Sequence, residues 1–124
     1  MIDFKNGSFL KLKKISNEEI SNHVAPLLIS GEALISSYKA LRDFVVFTSK
    51  RVITVNVQAI TGSKKDFTSL PYSKVQAYSI ETAGTFDLDS ELEMYFSGLG
   101  KVKFEFKGNS DIVQIGQIIS EYVL

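Results

Sequence analysis

Residues 43–57 read Asp43-Phe-Val-Val-Phe-Thr-Ser-Lys-Arg-Val-Ile-Thr-Val-Asn-Val57, two β-rich runs on either side of the polar pair Ser49-Lys50. Branched and aromatic residues suit a pleated, half-buried surface, so the stretch predicts a hairpin with a two-residue turn. Counting outward from the turn, Thr48 faces Arg51, Val46 faces Ile53 and Phe44 faces Val55. That register keeps each strand's apolar side together, whereas a one-residue slip would turn it over. The hairpin reads as buried, with the remaining chain built around it.

Working outward, the period is two from Glu32 to Tyr38, where Ala33, Ile35 and Ser37 alternate against Leu34, Ser36 and Tyr38. This is a first strand before the hairpin. Thr61-Gly62-Ser63 turns the chain into a short strand over 66–70, and Pro71-Tyr72 interrupts pairing. Further strands follow over 75–81, 89–96 and 101–107, with a bend at Ala83-Gly84. Seven strands with no helix between them predict an antiparallel barrel or sandwich. In the last hairpin, matching Leu92, Met94 and Phe96 to Val102, Phe104 and Phe106 sets Met94 opposite Val102 and Glu93 opposite Lys103.

Helices are predicted at both ends. Ser16-Asn17-Glu18-Glu19 has the form of a capping box opening a helix that turns Ile20, Val24 and Leu27 inward and ends at Pro26 and Gly31. Asn109 or Ser110 is placed to cap a C-terminal helix striped by Ile112, Ile115, Ile118, Ile119 and Tyr122. Gly116 within that stripe is explained by a close approach to the sheet. Residues 1–15 form an irregular or strand-like arm whose apolar side chains pack on the core while Lys5, Lys11, Lys13 and Lys14 face solvent. Residues 16–124 form one domain.

Composition narrows the function. The 124 residues carry 14 basic and 14 acidic side chains, 44% hydrophobic and 23% charged, so disorder and a global field for holding nucleic acid are both poor readings. Without cysteine there is neither disulfide nor thiolate, which suits a cytoplasmic setting. No apolar run approaches the roughly 20 residues that cross a bilayer, so any membrane contact is peripheral. His23 is a lone surface histidine, and no metal, cofactor or catalytic constellation is implied. Asp87, Asp89, Glu91 and Glu93 fall two apart on one strand face, a spacing that fits a charge-balanced outer face opposite Lys101 and Lys103 rather than a calcium loop. Lys64 and Lys65, after the turn, are the candidate anion contact, although the fragment lacks the phosphate-loop spacing. Thr82, Gly84, Thr85 and Phe86 are the candidate partner interface, because Gly84 permits a bend that would expose Phe86 and open strand edges. Phe86 reads equally well as a core residue.

Five segments in order, Ala25-Pro-Leu-Leu-Ile-Ser-Gly-Glu32, Thr48-Ser-Lys-Arg51, Thr61-Gly-Ser-Lys-Lys65, Leu70-Pro-Tyr-Ser73 and Glu81-Thr-Ala-Gly-Thr-Phe-Asp-Leu-Asp-Ser-Glu-Leu92, resemble the bacterial pleckstrin-homology domain family from about residue 15 onward. The resemblance implies a PH-like fold, a bent seven-stranded sheet closed at one end by the C-terminal helix and accompanied by an N-terminal helix. It also implies self-assembly into homo-oligomeric rings, and on that ground Phe86 is assigned to the interface. A PH-like interaction module that assembles with itself and presents a surface to a protein or anionic ligand is the leading expectation; contact with anionic lipid headgroups is the alternative. The phosphoinositide signature of eukaryotic relatives clusters basic residues in the first hairpin loop, where this chain offers only Lys39 and Arg42 beside Asp43.

Overall fold

A computed structural model describes residues 9–58, 63–108 and 111–124. The described elements are β1 (Phe9–Ile15), α1 (Asn17–Val24), β2 (Leu34–Ala40), β3 (Asp43–Thr48), β4 (Arg51–Gln58), β5 (Lys64–Pro71), β6 (Val75–Glu81), β7 (Ser90–Phe96), β8 (Gly100–Phe106) and α2 (Ile112–Val123). Short 3-10 turns at Ala25–Leu27 and Tyr72–Lys74 join α1 to β2 and β5 to β6.

The seven anticipated strands are all present as β2 to β8, and the arm supplies an eighth. Strand order is β5-β4-β3-β2-β1-β8-β7-β6. β1 runs antiparallel to β2 and parallel to β8, so it joins the two antiparallel halves into one bent sheet. The consecutive strands β5 and β6 lie at opposite ends of this order, and the sheet is not closed. The chain turns the corner between them through Tyr72, whose buried hydroxyl donates to the Thr48 carbonyl oxygen at 2.8 Å.

The central hairpin pairs Phe44 with Val55 and Val46 with Ile53, the register read from the sequence. Its turn is fastened by Thr48 Oγ1, which accepts from the amides of Lys50 and Arg51 at 3.0 Å each. Both faces of β3 are buried because each has a cover. Val45 and Phe47 join an interior cluster with Tyr38, Leu92, Met94, Phe104, Phe106 and the α2 residues Ile115 and Ile119. Val46, with Ile53 and Val55, instead packs beneath Ile20 and Val24 of α1. Edge-to-face contacts of Tyr38 with Phe106 at 4.8 Å and of Phe47 with Phe104 at 6.0 Å join the two halves of the sheet. In the last hairpin Met94 pairs with Val102 and Glu93 with Lys103, as the alternation requires.

Several local expectations are corrected. Ser16 is the N-cap of α1 but makes no side-chain cap bond; its carbonyl oxygen takes the Glu19 amide at 3.2 Å instead. Leu27 is 37% exposed because α1 ends at Val24 and Pro26 tightens the following turn, rotating Leu27 off the buried face. β5 begins at Lys64 rather than Asp66, since the long β4 pairs with it as far as Gln58 opposite Lys64. The Thr61-Gly62 turn and the cap residues Asn109 and Ser110 lie outside the described residues.

α2 presents Ile112, Ile115 and Ile119 to the interior. Tyr78 bonds Ser120 on this helix through their hydroxyls. A methyl at Gly116 would overlap Ile80 Cδ1, so the glycine leaves room for this side chain of β6 against the helix.

Candidate functional site

The segment from Thr82 to Asp89 joins β6 to β7 as a loop whose residues 82–88 are all exposed. It is nevertheless internally bonded. The Gly84 amide donates to the Asp87 carbonyl oxygen at 2.6 Å, and the Asp89 amide donates to Asp87 Oδ1 at 3.0 Å. Phe86 stands fully in solvent, with Leu88 63% exposed beside it in sequence. An aromatic side chain held out on a hydrogen-bonded loop contributes nothing to the core, so the core alternative for Phe86 is removed. The loop follows directly from β6, which pairs with β7 on one side and terminates the sheet on the other. Thr82, Gly84, Thr85 and Phe86 are each exposed along this loop, which leads out of an edge strand.

Lys64 and Lys65 fall inside β5, opposite Gln58 and Val57. Successive strand residues point to opposite faces, so the two ammonium groups do not converge as one clamp, and Lys64 is the exposed member. Between the β5 and β6 ends, a groove of about 570 Å³ runs along the corner past Leu70, Pro71, Lys74, Val75, Phe96 and Leu99. His23 is exposed in the last turn of α1. The carboxylates of β7 lie on the polar face: Glu91 pairs with Lys103 at 3.2 Å and Glu93 with Lys101 at 3.9 Å, each diagonally across the ladder. Asp89 pairs with Lys11 at 3.4 Å. Among the described residues no three His, Cys, Asp or Glu side chains converge as a metal cage would require, and no helix is long and apolar enough to cross a membrane.

Two constellations escaped the sequence reading. One is a buried ion pair. Glu32 has a wholly buried carboxylate that accepts from Arg51 Nε at 2.9 Å, Arg51 Nη2 at 3.1 Å, the Thr48 hydroxyl at 2.6 Å and the Ile29 amide at 3.1 Å. Arg51 also donates to the Leu27 carbonyl oxygen and to Ser69 Oγ, tying the segment before β2 to β4 and β5. Burial pushes the Glu32 carboxyl up, but the hydrogen bonds from Arg51, Thr48 and Ile29 more than reverse it, leaving the group below its ordinary value. With every carboxylate oxygen engaged, this pair is a clasp rather than an acid or base. Its sequence signal was the pairing of Glu32 with Thr48 and Arg51, two of the quoted motifs.

The second is a recess of about 430 Å³ lined by Lys11, Lys13, Lys39 and Lys107 around Leu41. Its cations come from β1, β2 and the residue after β8, which is why no local motif announces it.

Comparison with known proteins agrees with this architecture. The sequence profile of the family described as Bacterial PH domain matches residues 3–123. The chain is 39% identical over 119 residues to YjqA of Bacillus subtilis (strain 168), a protein described as uncharacterized, covering 94% of this chain and 95% of that one. It superposes on the crystal structure of a DUF1696 family protein with a pleckstrin-homology domain from Shewanella loihica PV-4 with a TM-score of 0.75 at 34% identity, over 93% of this chain and 99% of the other. The pleckstrin homology domain from Shewanella amazonensis SB2B gives a TM-score of 0.63 at 37% identity, over 96% and 93% of the two chains.

Proposed function

This chain belongs to the bacterial PH domain family, and from that premise we propose that it is a non-catalytic interaction module that assembles with copies of itself, as a ring, and presents a repeated surface to a further partner. The observation that carries the reading is Phe86, fully exposed on a hydrogen-bonded loop at the end of an edge strand. An aromatic ring in water gains by burial against a second surface, and an edge strand offers unpaired backbone groups to the same neighbour. Because β5 and β6 are different edges, joining one to the other between copies is a head-to-tail contact, which closes into a ring when the rotation per copy permits. The anionic-headgroup alternative draws its support from basic side chains away from this loop, and Lys64 is its exposed candidate on β5.

Phe86→Asp tests the proposal. A charge at a dry contact must be desolvated or the contact abandoned, so the variant should sediment at lower mass than the wild type with an unchanged circular-dichroism spectrum. A folded variant whose mass equals that of the wild type removes Phe86 from the interface.

A further inference from the structure

Two recesses meet at the corner where β5 gives way to β6. The groove of about 570 Å³ has Leu70, Val75 and Phe96 as its floor, each no more than 5% exposed, with Leu99 beside them. The other recess, of about 310 Å³, is lined by Ile29, Tyr122 and Lys50 next to the Glu32–Arg51 pair. Pro71 and Ser73 line both, so the two lie on either side of one corner. Ile29 is 61% exposed and Tyr122 41% exposed. Ile29 is nevertheless firmly held: its amide donates to Glu32 Oε1 at 3.1 Å, its carbonyl oxygen accepts from the Glu32 amide at 3.1 Å, and Arg51 grips the Leu27 carbonyl oxygen two residues earlier. The corner is fixed by the Tyr72 hydroxyl on the Thr48 carbonyl oxygen and by the Tyr72 amide on that of Lys50 at 3.1 Å. Both apolar seats are therefore preformed, and a partner can bury them without first ordering the backbone that carries them.

Charge decides what the seats accept. Lys74 is the charged residue lining the groove, and Lys50 is the charge of the second recess that lies outside the Glu32–Arg51 pair. Among the described residues neither ammonium makes an ion pair, whereas Lys101 and Lys103 on β8 are matched by Glu93 and Glu91. Each apolar seat thus has an uncompensated ammonium at its rim, and the carboxylate in reach, Glu32, is engaged by Arg51. A complementary ligand combines bulky apolar side chains with carboxylates, and to fill both seats it must cross the corner. An extended chain, rising about 3.3 Å per residue, does so, while a compact small molecule fills one seat. In such recognition the pockets choose side chains and the rim charges fix register and exclude wrong partners.

We propose that this corner binds an extended acidic segment of another protein, with one bulky apolar side chain seated on each side of Pro71 and Ser73 and carboxylates against Lys74 and Lys50. The proposal rests on the interaction-module reading for the existence of a further partner, and not on the ring. The test uses the full chain and a capped, fluorescently labelled peptide of two leucines set among aspartates, followed by anisotropy, with sedimentation of the same samples. Saturable binding that weakens with salt is expected. Replacing the peptide's aspartates by lysines, or its leucines by serines, should abolish it. On the protein, Lys74→Glu and Ile29→Ser change exposed side chains and should each lower affinity about tenfold, whereas Lys107→Glu, away from the corner, should leave it unchanged. Circular dichroism of both variants should match that of the wild type. A wild-type chain that binds the peptide and sediments as a protomer keeps this assignment while the assembly reading falls; an assembled chain that does not bind it overturns this assignment alone. The assignment is also overturned if the lysine peptide binds as well as the aspartate peptide, if both folded variants bind as the wild type does, or if they lower the sedimenting mass, which would give the corner to a second copy of the chain.

Discussion

Replacing Glu32 by Gln changes almost no volume but removes the charge from a heavily bonded carboxylate whose side chain is buried. The native carboxylate accepts four hydrogen bonds, two of them from the Arg51 guanidinium. A glutamine amide offers one oxygen and turns its NH2 toward the remaining donors, so about two of those bonds are lost. Charge-assisted bonds contribute about 1.5–3 kcal/mol each, and breaking one side of a buried ion pair costs about 3–5 kcal/mol, so the two routes converge on roughly 4 kcal/mol. With a urea dependence near 2 kcal/mol per molar, typical of small domains, the midpoint should fall by about 2 M while the slope is unchanged. Arg51→Met in the same protein supplies the cycle: the double variant should be more stable than the sum of the singles predicts, by at least about 2 kcal/mol, because it leaves no unpaired buried charge. Acid should report the same group. A carboxyl held below its ordinary 4.5 contributes stability that is complete above that pH and is lost as pH falls through the lower folded-state value. Glu32→Gln should therefore flatten the acid limb. A loss under about 1 kcal/mol, or additive single variants, would refute the clasp.

Three further substitutions probe the packing. Gly116→Ala gains helix propensity but meets Ile80, so alone it should shift stability by no more than about 1 kcal/mol, whereas in an Ile80→Val background the alanine should stabilise by about 1 kcal/mol; equal effects in both backgrounds would disprove the contact. Thr54 has a fully buried hydroxyl with no hydrogen-bond partner among the described residues, and Thr54→Val should raise unfolding free energy by about 1 kcal/mol in urea, a decrease counting against its placement. Burial raises the Tyr72 phenol far above its ordinary 10.0, with Tyr122 and Glu32 adding to it. The folded state then holds that proton more tightly, so stability should be complete below pH 10.0 and decline above it, a decline that Tyr72→Phe should reduce in alkaline melts.

What could be read from the sequence was whatever depended on alternation between neighbours. Phe44 opposite Val55 and Met94 opposite Val102 followed because a hairpin's short loop leaves few registers and burial selects one. Gly116 could be understood because a glycine in an apolar helix stripe is costly unless something comes close. The partnership of β1 was hidden, since its irregularity at Lys11 breaks the period of two and its parallel partner is Phe104, far along the chain. Leu27 misled because helical periodicity was continued through a proline that starts a tighter turn. Lys64 and Lys65 read as an exposed polar turn with a candidate anion contact, whereas the length of β4 draws them into a strand. Glu32 lies before its strand, and the lysines of the recess come from three elements, so neither produced a local pattern.

Sedimentation of the wild-type chain over a wide concentration range decides whether it assembles with itself. A closed ring should sediment as a species at a fixed multiple of the 13.8 kDa protomer that persists on dilution. A single 13.8 kDa species at every concentration would contradict it.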